Sequence, residues 1–195
     1  MIELRGERIV LRALEREHCQ ELWQRHEPVR PVATEPLNVG LSVEKADRWF
    51  EDIQAKQGQE HVYLGIFDHE DRLLGDIQLA DIDWRDRTAS LGGSLSLEIY
   101  RGHGYGTDAA LAILRYGFQE LGLYRVEAET ADYNLPARRV LEKVGFREEG
   151  RRRQKLYRAG RRWDSLVYGL LRNEFTADSS KDSAATDQEA QPSPS

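Results

Sequence analysis

The stretch Leu95-Ser96-Leu97-Glu98-Ile99-Tyr100-Arg101-Gly102-His103-Gly104-Tyr105-Gly106-Thr107-Asp108-Ala109-Ala110 changes character twice. It opens as a strand, passes through a glycine-rich loop, and turns helical from Thr107. Glycines let backbone amides face a ligand without side-chain interference. A helix starting directly after them adds free N–H groups and a partial positive charge, so the unit reads as a site for a pyrophosphate. The loop lacks the Gly-x-Gly-x-x-Gly spacing of dinucleotide binders, and no Gly-Lys-Ser/Thr follows. Antiparallel strands precede it, which does not suit the parallel repeats of a dinucleotide fold.

Upstream of the loop the chain reads as a β-meander. Val62 to Phe67, Leu73 to Ala80 and Thr88 to Ile99 are strand-like, with a turn at Asp68 to Arg72 and a hairpin loop at Asp81 to Arg87. Further upstream, Ile9, Leu11 and Ala13 alternate with Arg8, Val10 and Arg12 as in a half-buried strand. Two helices follow it. Ser42 can cap the second, whose Ala46, Trp49, Phe50 and Ile53 share one face, and Gly58 ends it. Pro28, Pro31 and Pro36 make residues 27–39 a loop.

Downstream, Leu111, Leu114, Phe118 and Leu121 form one helical stripe that Gly122 stops. Leu123 to Ala131 alternates as a strand. Pro136 lies in the first turn of a helix that Gly145 follows, and strands come near Phe146 to Tyr157 and Asp164 to Leu171. The order βαα, βββ, αβαββ predicts an α+β domain with one mixed, mostly antiparallel sheet flanked by helices.

The chain has 195 residues, 39% hydrophobic, a length and composition that suit one core. Residues 1–175 read as the domain. Residues 176–195 read as a disordered acidic tail, because they hold no large apolar residue to offset ordering entropy. That tail carries half of the net charge of −6, which leaves no overall basic footprint for nucleic acid. No apolar run is long enough to span a membrane, and the N-terminus lacks a signal-like stretch, so a cytoplasmic protein is expected. Cys19 stands alone and reads as structural, and no metal-ligand spacing occurs. The arginines between Arg147 and Arg162 fit either a solvated, ion-paired hairpin or a contact surface for an anionic partner.

Three blocks now combine. Arg101-Gly102-His103-Gly104-Tyr105-Gly106 resembles the Arg/Gln-x-x-Gly-x-Gly/Ala signature of the GNAT acetyltransferase superfamily. Asn134 to Phe146, ending in Glu142-Lys143-Val144-Gly145-Phe146, resembles its second conserved block. Tyr157-Arg158-Ala159-Gly160-Arg161-Arg162-Trp163-Asp164 and the opening Arg8-Ile9-Val10-Leu11-Arg12 are similar to the branch that acetylates ribosomal-protein N-termini. The resemblance covers roughly residues 5 to 175.

This resemblance implies a GNAT-like fold in which a splayed strand pair binds acetyl-CoA. Amides of Gly104, Gly106 and their neighbours Gly102 and Tyr105 would hold the pyrophosphate, with Thr107 adding its N–H or hydroxyl. Leu97 and Ile99 would pair their main chain with the pantetheine, and Asn134 would touch the arm near the sulfur. Arg101 belongs to the motif, with a surface salt bridge as its plainer role; for Asn134 the plainer role is a helix cap. The implied reaction is direct transfer to a primary amine in a ternary complex, with no metal.

An ammonium must lose a proton before it attacks, so a base is needed. Glu129 and Glu98 are the candidates, ahead of Asp81, Asp83 and His61; either could equally be a solvated strand residue. Many family members carry a tyrosine acid where this chain has Leu141, and the ribosomal branch often a serine where it has Ala137. Tyr133 is the available substitute. The acceptor could be a protein N-terminus, a polyamine, an amino acid or an aminoglycoside-like amine, bound among residues 27–40, the second helix and the 151–164 hairpin. Trp49, Trp84 and Trp163 could line that site or pack in the core. A homodimer is allowed. The competing function is a non-catalytic acyl-CoA sensor or interaction module.

Overall fold

In the computed structural model, which describes residues 3–25 and 42–176, the chain opens with an antiparallel hairpin. Its strands are β1 (Glu3–Arg5) and β2 (Ile9–Arg12), and Ile9 and Leu11 are fully buried. β1 has one apolar residue, Leu4, too little for a readable pattern. The helices α1 (Arg16–Arg25) and α2 (Val43–Lys56) follow. Next come β3 (Val62–Asp68), β4 (Leu73–Asp83), β5 (Thr88–Leu95) and α3 (Tyr105–Gln119). The chain continues with β6 (Arg125–Ala131), α4 (Leu135–Lys143), β7 (Arg147–Arg158) and β8 (Arg161–Leu171). The loop expected at 27–39 lies outside the described residues, as do residues 177–195 of the expected tail.

One sheet carries all eight strands of the described residues in the order β1-β2-β3-β4-β5-β6-β8-β7. Every neighbouring pair is antiparallel except β5 and β6. The parallel pairing of β5 with β6 arises because α3 carries the chain back before β6 begins. On one sheet face, Leu64, Ile77, Leu79, Val126 and Leu166 pack against Ile113, Leu114 and Phe118 of α3. On the other face, among the described residues, α1 and α2 cover only the first half of the sheet. There Cys19, Leu22 and Ile53 meet Tyr63, Phe67 and Leu73. The second half of that face shows Arg125, Glu127 and Glu129 instead, because β6 turns Val126, Ala128 and Thr130 towards the core.

Three of the boundaries that differ from the sequence reading have a clear local reason. β4 runs on to Asp83, because buried Ile82 continues the alternation past a bulge at Asp81, whose φ is 51°. The Asp81-to-Arg87 loop is thereby shortened. β5 stops at Leu95, so Ile99 is not in a strand. Beyond the Ser96 N–H bond to Leu74 (2.8 Å), Tyr100 and Arg101 turn their N–H groups back onto Leu97 and Glu98, which closes a 3-10 turn over Glu98–Tyr100. Finally, α3 opens at Tyr105 and not at Thr107, since Gly104 takes the capping position with φ 85°.

Candidate functional site

β5 and β6 pair only from Thr88–Arg125 to Ser90–Glu127. β5 nevertheless continues to Leu95, and β6 to Ala131 along β8. The two strands therefore part, and a gap opens towards the glycine loop. Ladder alternation fixes which main-chain groups face it. Ser96 points its N–H at β4, whereas the Arg87 carbonyl accepts from Tyr124 on the β6 side. Even-numbered residues of β5 therefore serve β4, and Leu91, Gly93, Leu95 and Leu97 present N–H and C=O to the gap. Leu97 is extended (φ −127°, ψ 146°), as a β-type ligand contact requires. The expectation for Ile99 changes, since its main chain belongs to the 3-10 turn and its side chain is exposed.

The loop beyond the gap is shaped for an anion. Gly102 and Gly104 both have left-handed φ, 82° and 85°. The first closed helical bond of α3 runs from the Asp108 N–H to the Gly104 carbonyl (3.0 Å), and among the described residues no side chain caps the helix. The N–H groups of Tyr105, Gly106 and Thr107 thus stand at an open helix end. A cleft of about 710 Å³ adjoins it, lined by Gly102, Gly104, Thr107 and the cations Arg8, Arg115 and Lys143. Arg101 is exposed beside it.

A clamp that the sequence reading missed holds this loop in place. The Asp108 carboxylate accepts the N–H groups of Glu7 (3.0 Å) and Arg8 (2.7 Å), and Arg8 donates to the His103 carbonyl (3.1 Å). A Cβ on Gly6 would lie 2.4 Å from an Asp108 oxygen, so only glycine allows that approach. A hundred residues separate the partners, and no local pattern links them.

Carboxylates flank the gap on the open sheet face. Glu129 accepts from Arg152 (2.5 Å), Lys155 (2.5 Å) and Ser165. Burial favours its neutral form, but the hydrogen bonds from Lys155 and Ser165 and both cations outweigh that and hold its pKa below the ordinary value. It is an ionised carboxylate in an ion-pair network, not an isolated base. Across the gap, Asp76 of β4 accepts from Tyr63 (2.8 Å) and Ser94 (3.0 Å) on the same face. Its sequence signal was available: a lone acid inside the apolar run Leu73-Leu74-Gly75-Asp76-Ile77. Glu98 is exposed in the 3-10 turn.

Asn134 caps α4, its Oδ1 accepting from Ala137 N–H (3.4 Å). Tyr133, beside it, has a buried hydroxyl, and burial raises its pKa. Its ring packs edge-on against Trp163 at 4.5 Å. Leu141 is buried core. Asp83 accepts the N–H groups of Arg85 and Asp86, which is a turn-forming role. Cys19 is buried and its thiol is pushed up to about 12, chiefly by burial, which fits a structural residue. Trp49 packs against Tyr63 at 5.8 Å, and Trp84 is half exposed with its indole N–H on the Gln59 carbonyl.

Comparison with known proteins joins these features. Residues 8–147 match the acetyltransferase (GNAT) domain family. YdaF of Bacillus subtilis (strain 168), provisionally named a ribosomal N-acetyltransferase, is 36% identical over 107 residues, 55% of this chain and 58% of YdaF. The chain thus spans little more than half of that relative. The human alpha/beta-tubulin-N-acetyltransferase 9 is 30% identical over 161 residues, 74% of this chain and 75% of that protein. The fold also superposes on a Vibrio cholerae spermidine N-acetyltransferase in complex with CoA and spermine, with a TM-score of 0.75 at 21% identity, covering 85% and 96% of the two chains. A parted strand pair, an uncapped helix end and a family match over more than half the length agree: this chain belongs to the GNAT acetyltransferase family.

Proposed function

We propose that the protein transfers the acetyl group of acetyl-CoA directly to a primary amine in a ternary complex. One observation carries this reading: β5 and β6 part immediately before an uncapped helix end. The amides of Gly104, Tyr105, Gly106 and Thr107 would hold the pyrophosphate, and Arg8, Arg115 and Lys143 suit the remaining phosphate of the nucleotide end. The main chain of Leu95 and Leu97 would extend a ladder along the pantetheine. The side-chain NH2 of Asn134 would donate to the same arm.

The amine nitrogen bonds to the thioester carbonyl carbon, the C–S bond breaks, and a net proton is released with CoA thiol. A main-chain N–H of β5 facing the gap supports the charge that develops on the carbonyl oxygen. Glu129, ionised at neutral pH, attracts and anchors the ammonium, whose proton leaves to solvent. It is favoured over Glu98 because it borders the gap on the open face. Tyr133, kept protonated by burial, supplies a proton to the departing sulfur. The absence of a hydroxyl at residues 137 and 141 keeps the CoA-binding module as the second reading.

A thiol-release assay with acetyl-CoA and a panel of peptides, polyamines, amino acids and aminoglycosides tests the proposal. Release above background with at least one amine is expected. Micromolar CoA binding without turnover of any amine would leave the binding module as the function.

A further inference from the structure

The hairpin of β7 and β8 has a charge pattern that the acetyl-transfer chemistry does not use. Between Gly150 and Asp164 stand seven cations and no carboxylate. Three of the seven are tied down: Arg151 to Asp164 (3.1 Å), and Arg152 and Lys155 to Glu129. Arg153, Arg161 and Arg162 stand outside these pairs. Arg153 sits in a bulge where the register slips between Arg152 and Leu156 and Gln154 adopts φ 54°. Arg161 lies over the Trp163 ring at 3.4 Å, and Arg162 over the exposed Tyr157 ring at 5.5 Å. A guanidinium stacked on a ring keeps its N–H edge available for a carboxylate.

The hairpin also has a defined place relative to the gap. β8 runs beside β6 with Ser165 opposite Ala131, so its outer end extends beyond the point where β6 stops. Trp163 touches Tyr133, the neighbour of Asn134, and its indole N–H bonds the Arg158 carbonyl (3.1 Å). The cations therefore rim the same end of the sheet that the gap opens onto. Moving outward from the gap, the open face shows Asp76 and Glu129 first and the Arg161 guanidinium beyond them, while Arg162, the next residue along β8, rims the same sheet end from the other face.

Resting on the acetyltransferase reading, we propose that the acceptor is a peptide whose N-terminal amine is followed by acidic side chains. The inner carboxylates attract the ammonium, and the arginine rim receives the carboxylates behind it. At roughly 3.4 Å per extended residue, the first three or four side chains after the amine reach about 10 Å beyond it, outward along the sheet end that the arginines rim. A polyamine carries the opposite pattern: its second and third ammonium groups would meet the rim and be repelled.

The test uses full-length protein and three peptides sharing an N-terminal serine, with Asp/Glu, Asn/Gln or Lys at the next four positions, together with spermidine. Thiol release should give a KM for the acidic peptide at least ~10-fold below the neutral one, and the gap should shrink between low and high salt. The triple variant Arg153→Glu/Arg161→Glu/Arg162→Glu should lose the preference while its CoA affinity and circular dichroism stay unchanged. A triple variant to Gln should give an intermediate result. Fluorescence anisotropy of the labelled acidic peptide on CoA-saturated protein reads the rim without turnover. Peptide binding that the triple variant abolishes, with no acetylation, would refute the enzyme and keep the rim. Equal or better use of spermidine or the neutral peptide, tighter binding of an oligouridine, or an unchanged preference in the triple variant would overturn the proposal.

Discussion

The two sides of the β5–β6 gap are made of different materials. On the loop side, the chain commits consecutive residues, 101 to 108, and offers main-chain N–H groups. On the open face, Asp76, Glu129, Tyr133 and Trp163 come from different strands and turns and offer side chains. A main-chain site depends on backbone conformation and tolerates most neighbours. A side-chain site depends on sheet register, and register changes which partners meet. Binding of a common donor and selection of a particular acceptor are thus physically separable here.

The sharpest break of this comparison comes from Gly104→Val. The capping residue has φ 85°, a region that costs a β-branched side chain about 1–3 kcal/mol and turns its amides away if the loop relaxes. CoA affinity should fall about 100-fold by calorimetry, with the circular dichroism spectrum preserved. Unchanged affinity would show that the loop's main chain is not the anion site.

Next in size is Asp108→Ala, which removes the acceptor for the Glu7 and Arg8 amides. Losing hydrogen bonds to a charged group costs about 1–3 kcal/mol. At roughly 2–4 °C per kcal/mol for a chain of this size, Tm should drop by several degrees. CoA affinity should weaken with it, because Arg8 also steadies the His103 carbonyl. A lower Tm with unaltered CoA binding would mean the clamp serves the fold alone.

The asymmetry explains what was legible in the sequence. The glycine loop, the stripe on α3 and the strand after it depend on near neighbours, so spacing revealed them. Their ends were less readable: only the turn bonds onto Leu97 and Glu98 stop β5 at Leu95, and only the φ of Gly104 moves the helix start. The Gly6–Asp108 contact and the Glu129 ion pairs join residues far apart in sequence. Glu129 was visible as a carboxylate near the site, but its two cationic partners depend on how β7 and β8 register. Those partners change its chemistry from a candidate base to an ionised anchor.

Glu129→Gln sharpens the acceptor side. Turnover over KM should fall about tenfold at neutral pH while CoA affinity holds, measured by thiol release and calorimetry. The amide keeps the shape but loses the charge that attracts an ammonium. An equal loss of CoA affinity would place Glu129 on the loop side and erase the distinction.

The smallest effect concerns acid. Asp164 is held below the ordinary carboxylate range by the Gln154 N–H and Arg151, and Glu149 by Arg125, as Glu129 is by its own partners. A carboxylate whose folded pKa lies below its unfolded one stabilises the fold fully above the unfolded value, near 4, and loses that contribution as pH falls through the folded value. All three pin the β7–β8 hairpin, whereas the middle of α3 around Ile113 and Leu114 is held by apolar packing that does not titrate. Surface pairs are individually weak, so the hairpin should loosen without global unfolding. Hydrogen exchange, corrected for intrinsic rates, should show the Gln154 and Ser165 amides losing protection as pH falls below about 4 while Ile113 and Leu114 keep theirs. Simultaneous loss in both regions would mean that the hairpin and the α3 core open as one unit, and that the acceptor side has no independent stability.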